Sequence, residues 1–268
     1  MVKHPEYKTD AAKILKQEGI VGAIEIISKS KGRPYHFTAL VTTADKQLIL
    51  RCTPYEEAIA RNDACLKKFS PFGFTPVPLR VGNLSSIFYS FESFVEGRSD
   101  ADIVDEIFFE KLGALYQKLT ADEALPLARM EFSHLESILS GKVPKDLLRL
   151  LPQSDYDPFF SHGDLTLNNL KFDPLKNRLY LFDFEHAGLA PRGYDIGFFL
   201  FFEGMPAESA FILEKFCKIT AQQILSCSLL AGLQRTAKFL GTPKVWQSVL
   251  KRTEEIYGTY LSTMRRSS

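Results

Sequence analysis

His162, Asp164 and Asn169 stand in the order H-x-D-x-x-x-x-N, and a second acidic signature, Asp183-Phe184-Glu185, follows after a short apolar stretch. Those residue types suit phosphoryl transfer. Moving a γ-phosphoryl group onto a hydroxyl needs a carboxylate to orient or deprotonate the attacking oxygen, and oxygen ligands to hold magnesium against the phosphates. Asp164 fits the first role. Magnesium takes few protein oxygens and keeps water and phosphate oxygens as its other ligands, so the Asn169 amide and the Asp183 carboxylate fit the second. His162 need do no chemistry, because an imidazole can brace the loop by hydrogen bonding its backbone.

These residues can work together only if the chain brings them to one mouth. The step from Asp164 to Asn169 is long enough for an irregular loop with both ends facing the same way. Short apolar runs at 170–172 and 179–182 flank the turn-forming stretch 173–177, which predicts a hairpin that returns Asp183 beside that loop. Beyond Ile196 the pattern is helical, interrupted near 204–206 and 241–243.

Upstream, Thr9 or Asp10 can cap a short helix running to Lys16, with Gly19 placed to end it. Alternating stretches at 21–27, 35–42 and 47–51 predict three strands, the last two joined by a tight polar turn. A helix is expected over 56–69 after Pro54, then strands at 79–81 and 87–91. Apolar spacing at three and four gives helices over 103–119, 130–139 and 145–151. The expected class is therefore α+β, with a small antiparallel sheet carrying one helix in residues 1–94 and a larger, mainly helical region in 95–268.

Lysine and arginine number 33 against 32 aspartate and glutamate, a net charge of +1, so no long-range field draws this chain to nucleic acid or an anionic membrane. Cys52, Cys65, Cys217 and Cys227 are scattered with no C-x-x-C pair, and no apolar signal segment opens the sequence, which points to reduced thiols in the cytoplasm. The most apolar run, 196–202, is far shorter than the roughly 20 residues a membrane span needs. Oligomeric state has no signature here.

The stretch 159–197 resembles the aminoglycoside phosphotransferase and choline kinase-like superfamily, whose fold is similar to that of protein kinases. Members show HGDL or HNDL followed by an Asn, then an apolar strand ending in DFE, then a YD or FD motif. Here these are His162-Gly163-Asp164-Leu165, Asn169, Asp183-Phe184-Glu185 and Tyr194-Asp195. The resemblance implies a bilobal protein kinase-like fold binding ATP and Mg2+, with Asp164 as catalytic base and Asn169 and Asp183 as magnesium ligands. It also implies that Asp195 supports the catalytic loop. A helix N-cap before Ile196 is the alternative role for Asp195. No A-P-E segment follows Asp183, which sets the chain apart from protein kinases.

On the nucleotide side, the resemblance puts a basic residue on the third strand against the phosphates, and Arg51 ends that predicted strand. Its usual helix carboxylate would fall at position 62, which is Asn62, leaving Asp63, Glu57 or neither as partner. The loop 28–33, with Ser30 and Gly32, either covers the phosphates or is an ordinary hairpin turn. Glu92 and Phe94 lie where the interlobe hinge would hold adenine through main-chain groups.

The run from Asp183 through Pro191-Arg192-Gly193-Tyr194-Asp195-Ile196-Gly197 looks particularly like choline and ethanolamine kinases, which hold a cationic headgroup by aromatic faces and carboxylates. Glu185, Phe198, Phe199, Phe202, Glu203, Trp246 and Tyr257 are the candidates for such a pocket. The chain departs from that group in reading HGD for HND and in placing Glu203 one residue late. The expectation is an ATP-dependent kinase acting on the hydroxyl of a small molecule. Amino alcohols, aminoglycosides, thiamine and sugars remain open as acceptors, and a nucleotide-binding pseudokinase is the non-enzymatic alternative.

Overall fold

The structure is a computed structural model in which residues 7–29, 36–99, 102, 104–120, 125–151 and 156–267 are described. Contacts between Cα atoms divide the chain into one unit of Met1–Gly97 with Tyr180–His186, and a second of Arg98–Leu179 with Ala187–Ser268.

The first unit runs α1 (Tyr7–Gln17), β1 (Ala23–Lys29), β2 (Phe37–Thr42), β3 (Gln47–Thr53), α2 (Glu56–Phe69), β4 (Pro78–Leu84) and β5 (Ile87–Ser93). The strands form one antiparallel sheet in the order β1-β2-β3-β5-β4. Side chains alternate along a strand, so the sheet acquires two unlike faces. Phe37, Ala39, Val41, Leu48, Leu50, Cys52, Ile87, Tyr89 and Phe91 fall on one face and form a core with Ala11, Ile14 and Leu15 of α1. The residues between them include Thr38, Arg51, Ser90 and Glu92. Helix α2 packs against β3, β4 and β5.

Two helices thus serve the sheet where the pattern predicts one, because the apolar residues of α1 recur at three and four and form a stripe that matches the apolar face. Asp10, expected as a cap, lies inside α1, buried and accepting a 3.1 Å hydrogen bond from Lys13 Nζ. Ser30 and Gly32 lie outside the described residues.

The second unit contains α3 (Glu106–Tyr116), α4 (His134–Leu139), α5 (Lys145–Leu148), β6 (Pro158–Ser161) and β7 (Leu170–Asp173). Strand β8 (Arg178–Leu181) completes a hairpin with β7, and then come β9 (Gly188–Pro191), α6 (Tyr194–Phe202), α7 (Ser209–Cys217), α8 (Ala221–Lys238) and α9 (Pro243–Ser267). Asp173 closes the hairpin turn by accepting from Leu175 N (3.0 Å) and Lys176 N (3.1 Å).

Three helices are shorter than their periodicity predicts, α5 ending at Leu148 rather than 151. Asp105 caps α3 by accepting from Phe108 N at 2.8 Å, which fixes its start past 103. Met130 does not join α4, since its N–H donates to Leu189 O (2.8 Å) beside the bridge between Arg129 and Leu189. Strands β6 and β9, which the sequence pattern does not predict, pair antiparallel with Ser161 opposite Gly188. Each has four residues, as β7 and β8 do, but no local turn joins the two to mark them as a pair. No single helix among the described residues is long and apolar enough to cross a membrane.

Helix α6 lies against α8 at a glycine. A Cβ on Gly197 would come within 2.4 Å of Ser228 N and 2.6 Å of Cys227 C, both backbone atoms that cannot swing aside. Gly197→Ala is therefore expected to destabilise the chain by about 1–3 kcal/mol, read as a lower urea midpoint at unchanged m-value. A midpoint equal to that of the wild type would mean that α6 and α8 are not packed this closely.

Candidate active site

The 162–169 loop is shaped by one buried carboxylate. Asp195, in the first turn of α6 and 1% exposed, accepts hydrogen bonds from Ser161 Oγ (2.7 Å), His162 N (2.8 Å) and Gly163 N (3.1 Å). It is not the helix cap. That place belongs to Gly193, which has φ 95° and donates its N–H to Tyr116 Oη at 2.8 Å. Burial pushes the Asp195 carboxyl above its ordinary range, against the pull of His162 and the donors around it.

His162 is fully buried, and its Nδ1 accepts from Asp164 N at 3.3 Å, so the imidazole braces the loop from within. Gly163, at φ 80°, supplies the left-handed turn that exposes the next residue. Asp164 is half-buried there. Asn169 Nδ2 donates both to Asp164 O (2.8 Å) and to Asp164 Oδ2 (2.9 Å). One amide thus fixes the main chain and the side chain of Asp164 together.

In the first unit, Arg51 is the centre of a second constellation. Arg51 lies opposite Ser90 in the β3–β5 register and Glu92 opposite Ile49, so Arg51 and Glu92 are diagonal neighbours on one face. Arg51 Nε meets Glu92 Oε1 at 2.8 Å, and Arg51 Nη1 meets Asp183 Oδ2 at 2.8 Å. Burial works against the guanidinium charge, but Asp183 and Glu92 outweigh it and hold the Arg51 pKa above its ordinary value. Asp183 has φ 72°, a left-handed backbone that costs a non-glycine residue about 1–2 kcal/mol and aims its carboxylate at Arg51.

The partner of Arg51 is therefore Glu92, not Asp63 or Glu57. Asp63 is paired within its own helix to Lys67 Nζ (2.6 Å), and Glu57 is exposed in the first turn of α2. Asn62 does something else, since its Oδ1 accepts from Phe184 N at 2.9 Å and ties α2 to the Asp-Phe-Glu segment. Arg61 Nη1 holds the next carbonyl, Glu185 O, at 2.6 Å. The Glu92 carboxylate, 1% exposed, is committed to Arg51, and Phe94 N donates to Gln47 O at 3.3 Å.

Most of the residues proposed for a cationic pocket have contacts of their own within the chain. Glu203 Oε1 accepts from Leu167 N (2.7 Å) at the start of the turn that carries Asn169. Phe202 stacks on Phe198 at 4.0 Å, and its ring lies 4.6 Å from the guanidinium carbon of Arg235. Phe199 is core, stacked on Phe108 at 5.9 Å, and Tyr257 stacks on Tyr260 at 6.3 Å. Trp246 is half-buried on α9 with no ring contact among the described residues. Glu185 lies near His36 Nε2 (3.9 Å) and His186 Nε2 (3.3 Å). Burial pushes its carboxyl up, while the two histidines and Arg51 outweigh that and hold it below its usual range.

Each unit keeps one side-chain oxygen of the kind a hard cation takes. With its nitrogen committed to Asp164, Asn169 keeps its carbonyl oxygen, and Asp183 keeps Oδ1 after Oδ2 has met Arg51. No group of three or more His, Cys, Asp or Glu suited to a metal occurs among the described residues. A hard cation that takes one or two protein oxygens needs none.

Sequence reasoning missed Asn62, Arg61, Ser161 and Arg235. The signal for Asn62 was present as a polar residue among the apolar positions of α2, where it is 2% exposed. Asn62→Ala would leave Phe184 N without its acceptor in a buried place. It is expected to cost about 1–3 kcal/mol, with hydrogen exchange at the Phe184 amide accelerated beyond the global change. An unchanged Phe184 exchange rate would refute the contact.

A profile of the phosphotransferase enzyme family matches residues 33–221. Among solved structures, the GDP complex of a mutant aminoglycoside 2'-phosphotransferase-IIIa is similar with TM-score 0.73 at 13% identity, covering 96% of this chain and 99% of that one. A thermostable mutant of aminoglycoside phosphotransferase APH(4)-Ia, in ternary complex with ADP and hygromycin B, gives 0.70 at 12%, covering 91% and 96%. Choline kinase LicA from Streptococcus pneumoniae gives 0.66 at 15%, covering 96% and 100%. No curated protein sequence matches the chain. These likenesses give the chain the protein kinase-like fold that its sequence motifs imply, and the profile match across more than half of its length places it plainly: the chain belongs to the phosphotransferase enzyme family.

Proposed function

We propose that the chain transfers the terminal phosphoryl group of magnesium-ATP to a hydroxyl group of a small molecule. The observation that carries this reading is the clamp on Asp164. Asn169 Nδ2 takes one carboxylate oxygen and the backbone carbonyl, so Asp164 presents its other oxygen in a fixed direction. A carboxylate held this way can orient an incoming hydroxyl at little entropic cost.

Asp164 accepts the hydroxyl proton as the acceptor oxygen bonds to the γ-phosphorus and the bond from that phosphorus to the nucleoside diphosphate breaks. Asn169 and Asp183 are the residues that would hold magnesium, which when bound neutralises charge on the phosphates. Arg51 offers a fixed positive charge to the nucleotide phosphates, and its pairing with Glu92 answers the doubt raised by Asn62. That pairing favours an active enzyme over a nucleotide-binding pseudokinase.

In this reading residues 1–94 form the nucleotide-binding lobe and residues 95–268 the catalytic and acceptor-binding lobe, with Asp183 working beside Arg51. Four unpaired, buried cysteines suit the reducing cytoplasm. The fold does not choose an acceptor, since aminoglycoside phosphotransferases and a choline kinase are both among its likenesses. A choline-type cage loses support because Phe202 and Glu203 are already engaged.

Two measurements test the proposal. A panel of alcohols screened for ATP-dependent phosphorylation should give an acceptor whose turnover falls about 10²–10⁴-fold in Asp164→Ala. Asp183→Ala should separately lose the magnesium-dependent rise in melting temperature that ATP gives the wild type. Wild-type rates in Asp164→Ala would sink the assignment.

A further inference from the structure

Arg235 lies half-buried on α8, its guanidinium carbon 4.6 Å from the ring centres of both Phe202 and Phe239. Among the described residues its side chain makes neither a hydrogen bond nor an ion pair. Burial draws its pKa below the ordinary arginine value, and the charge that acts against this is that of Asp164. Phe202 is followed by Glu203, whose carboxylate holds Leu167 N in the loop of Asp164, so the guanidinium stacks beside the residue that grips that loop.

The surroundings of Phe202 explain what this charge does to an acceptor. Phe198 is stacked 4.0 Å from Phe202 at 15°, which covers one face of the ring, so Arg235 must cover the other. The seat that a quaternary ammonium would take by cation–π attraction is filled by the chain's own cation. Glu203, the carboxylate that would neutralise such a guest, is spent on Leu167 N. A guanidinium is planar and carries its N–H donors in that plane, and with no acceptor for them among the described residues that fork is open to two oxygens of a carboxylate or phosphate.

We propose that the acceptor is an anionic alcohol, whose hydroxyl goes to Asp164 and whose carboxylate or phosphate-monoester group is bound by Arg235. This rests on the phosphotransferase reading and narrows it. The γ-phosphoryl group passes to the hydroxyl, the hydroxyl proton passes to Asp164, ADP leaves, and the anionic group of the acceptor is unchanged.

The test compares matched alcohols on the full chain with magnesium-ATP: hydroxycarboxylates, hydroxyalkyl phosphate monoesters, their neutral amides, and the corresponding amino alcohols and aminoglycosides. One of the two anionic arms should exceed the neutral compounds by about tenfold or more in kcat/KM, and which arm does so identifies the anion. Arg235→Gln should raise KM for that acceptor with kcat and ATP binding nearly unchanged, and Arg235→Lys should recover part of the loss. A charge acting only through Asp164 would instead lower kcat equally for all acceptors, which would overturn the proposal. Preference for amino alcohols or aminoglycosides would overturn it too, while leaving the phosphotransferase reading in place. Transfer to no alcohol, with ATP binding intact, would overturn both. If Arg235→Gln fails to fold, the wild-type acceptor preference and the Arg235→Lys KM still decide the matter.

Discussion

A carboxylate withdrawn from water must find donors, and Asp195 finds them in the backbone of the loop that carries Asp164. Moving a bare carboxylate into a protein interior costs several kcal/mol, so the loop can leave its course only by abandoning a buried charge. Two N–H groups and one hydroxyl converge on it, and none belongs to a residue that need do chemistry. The dependence runs further back. Asp195 is where it is because α6 starts at Gly193, pinned by Tyr116, and because Gly197 lets α6 approach the backbone of α8. Helix packing thus sets the position of a carboxylate, and the carboxylate sets the conformation of a loop.

The first unit obeys the same constraint with opposite sign. Arg51 is a cation on a mostly buried sheet face, and two carboxylates from different stretches of sequence answer it. Asp183 reaches it by adopting a left-handed backbone, and the chain directly after it is held by Asn62 on Phe184 N and Arg61 on Glu185 O. Strain at one residue persists because its neighbours over-determine the chain. The three residues after Phe182 are therefore as tightly specified as a core strand, although they form only a turn.

The sequence made the candidate residues of the site legible because short loops encode themselves. Asp164, Asn169 and Asp183 lie within one local stretch, and turn chemistry predicts how the chain returns. Strand β3 and helix α2 were legible for a related reason, since periodicity acts over neighbouring residues. The partner of Arg51 was not, because Glu92 is 41 positions away and becomes a neighbour only through the β3–β5 register. Strands β6 and β9 were hidden because no local turn joins them, and Met130 by a pairing with Leu189 that no local pattern records. Phe202 and Glu203 read as binding groups in the sequence because their residue types suit a cation. Their partners, Arg235 and Leu167, lie on other elements.

Position 62 becomes intelligible through this accounting of charge. In the resemblance that first placed Arg51, the partner carboxylate comes from the helix. Here Glu92 supplies it from the adjacent strand, and Asp183 adds a second negative charge on the same guanidinium. A third carboxylate at position 62 would face two others with one guanidinium between them, and like charges in a poorly solvated place repel strongly. A neutral amide avoids that repulsion and still offers an oxygen for Phe184 N. Arg51 thus has its carboxylate on the neighbouring strand, and Asn62 is left to anchor Phe184.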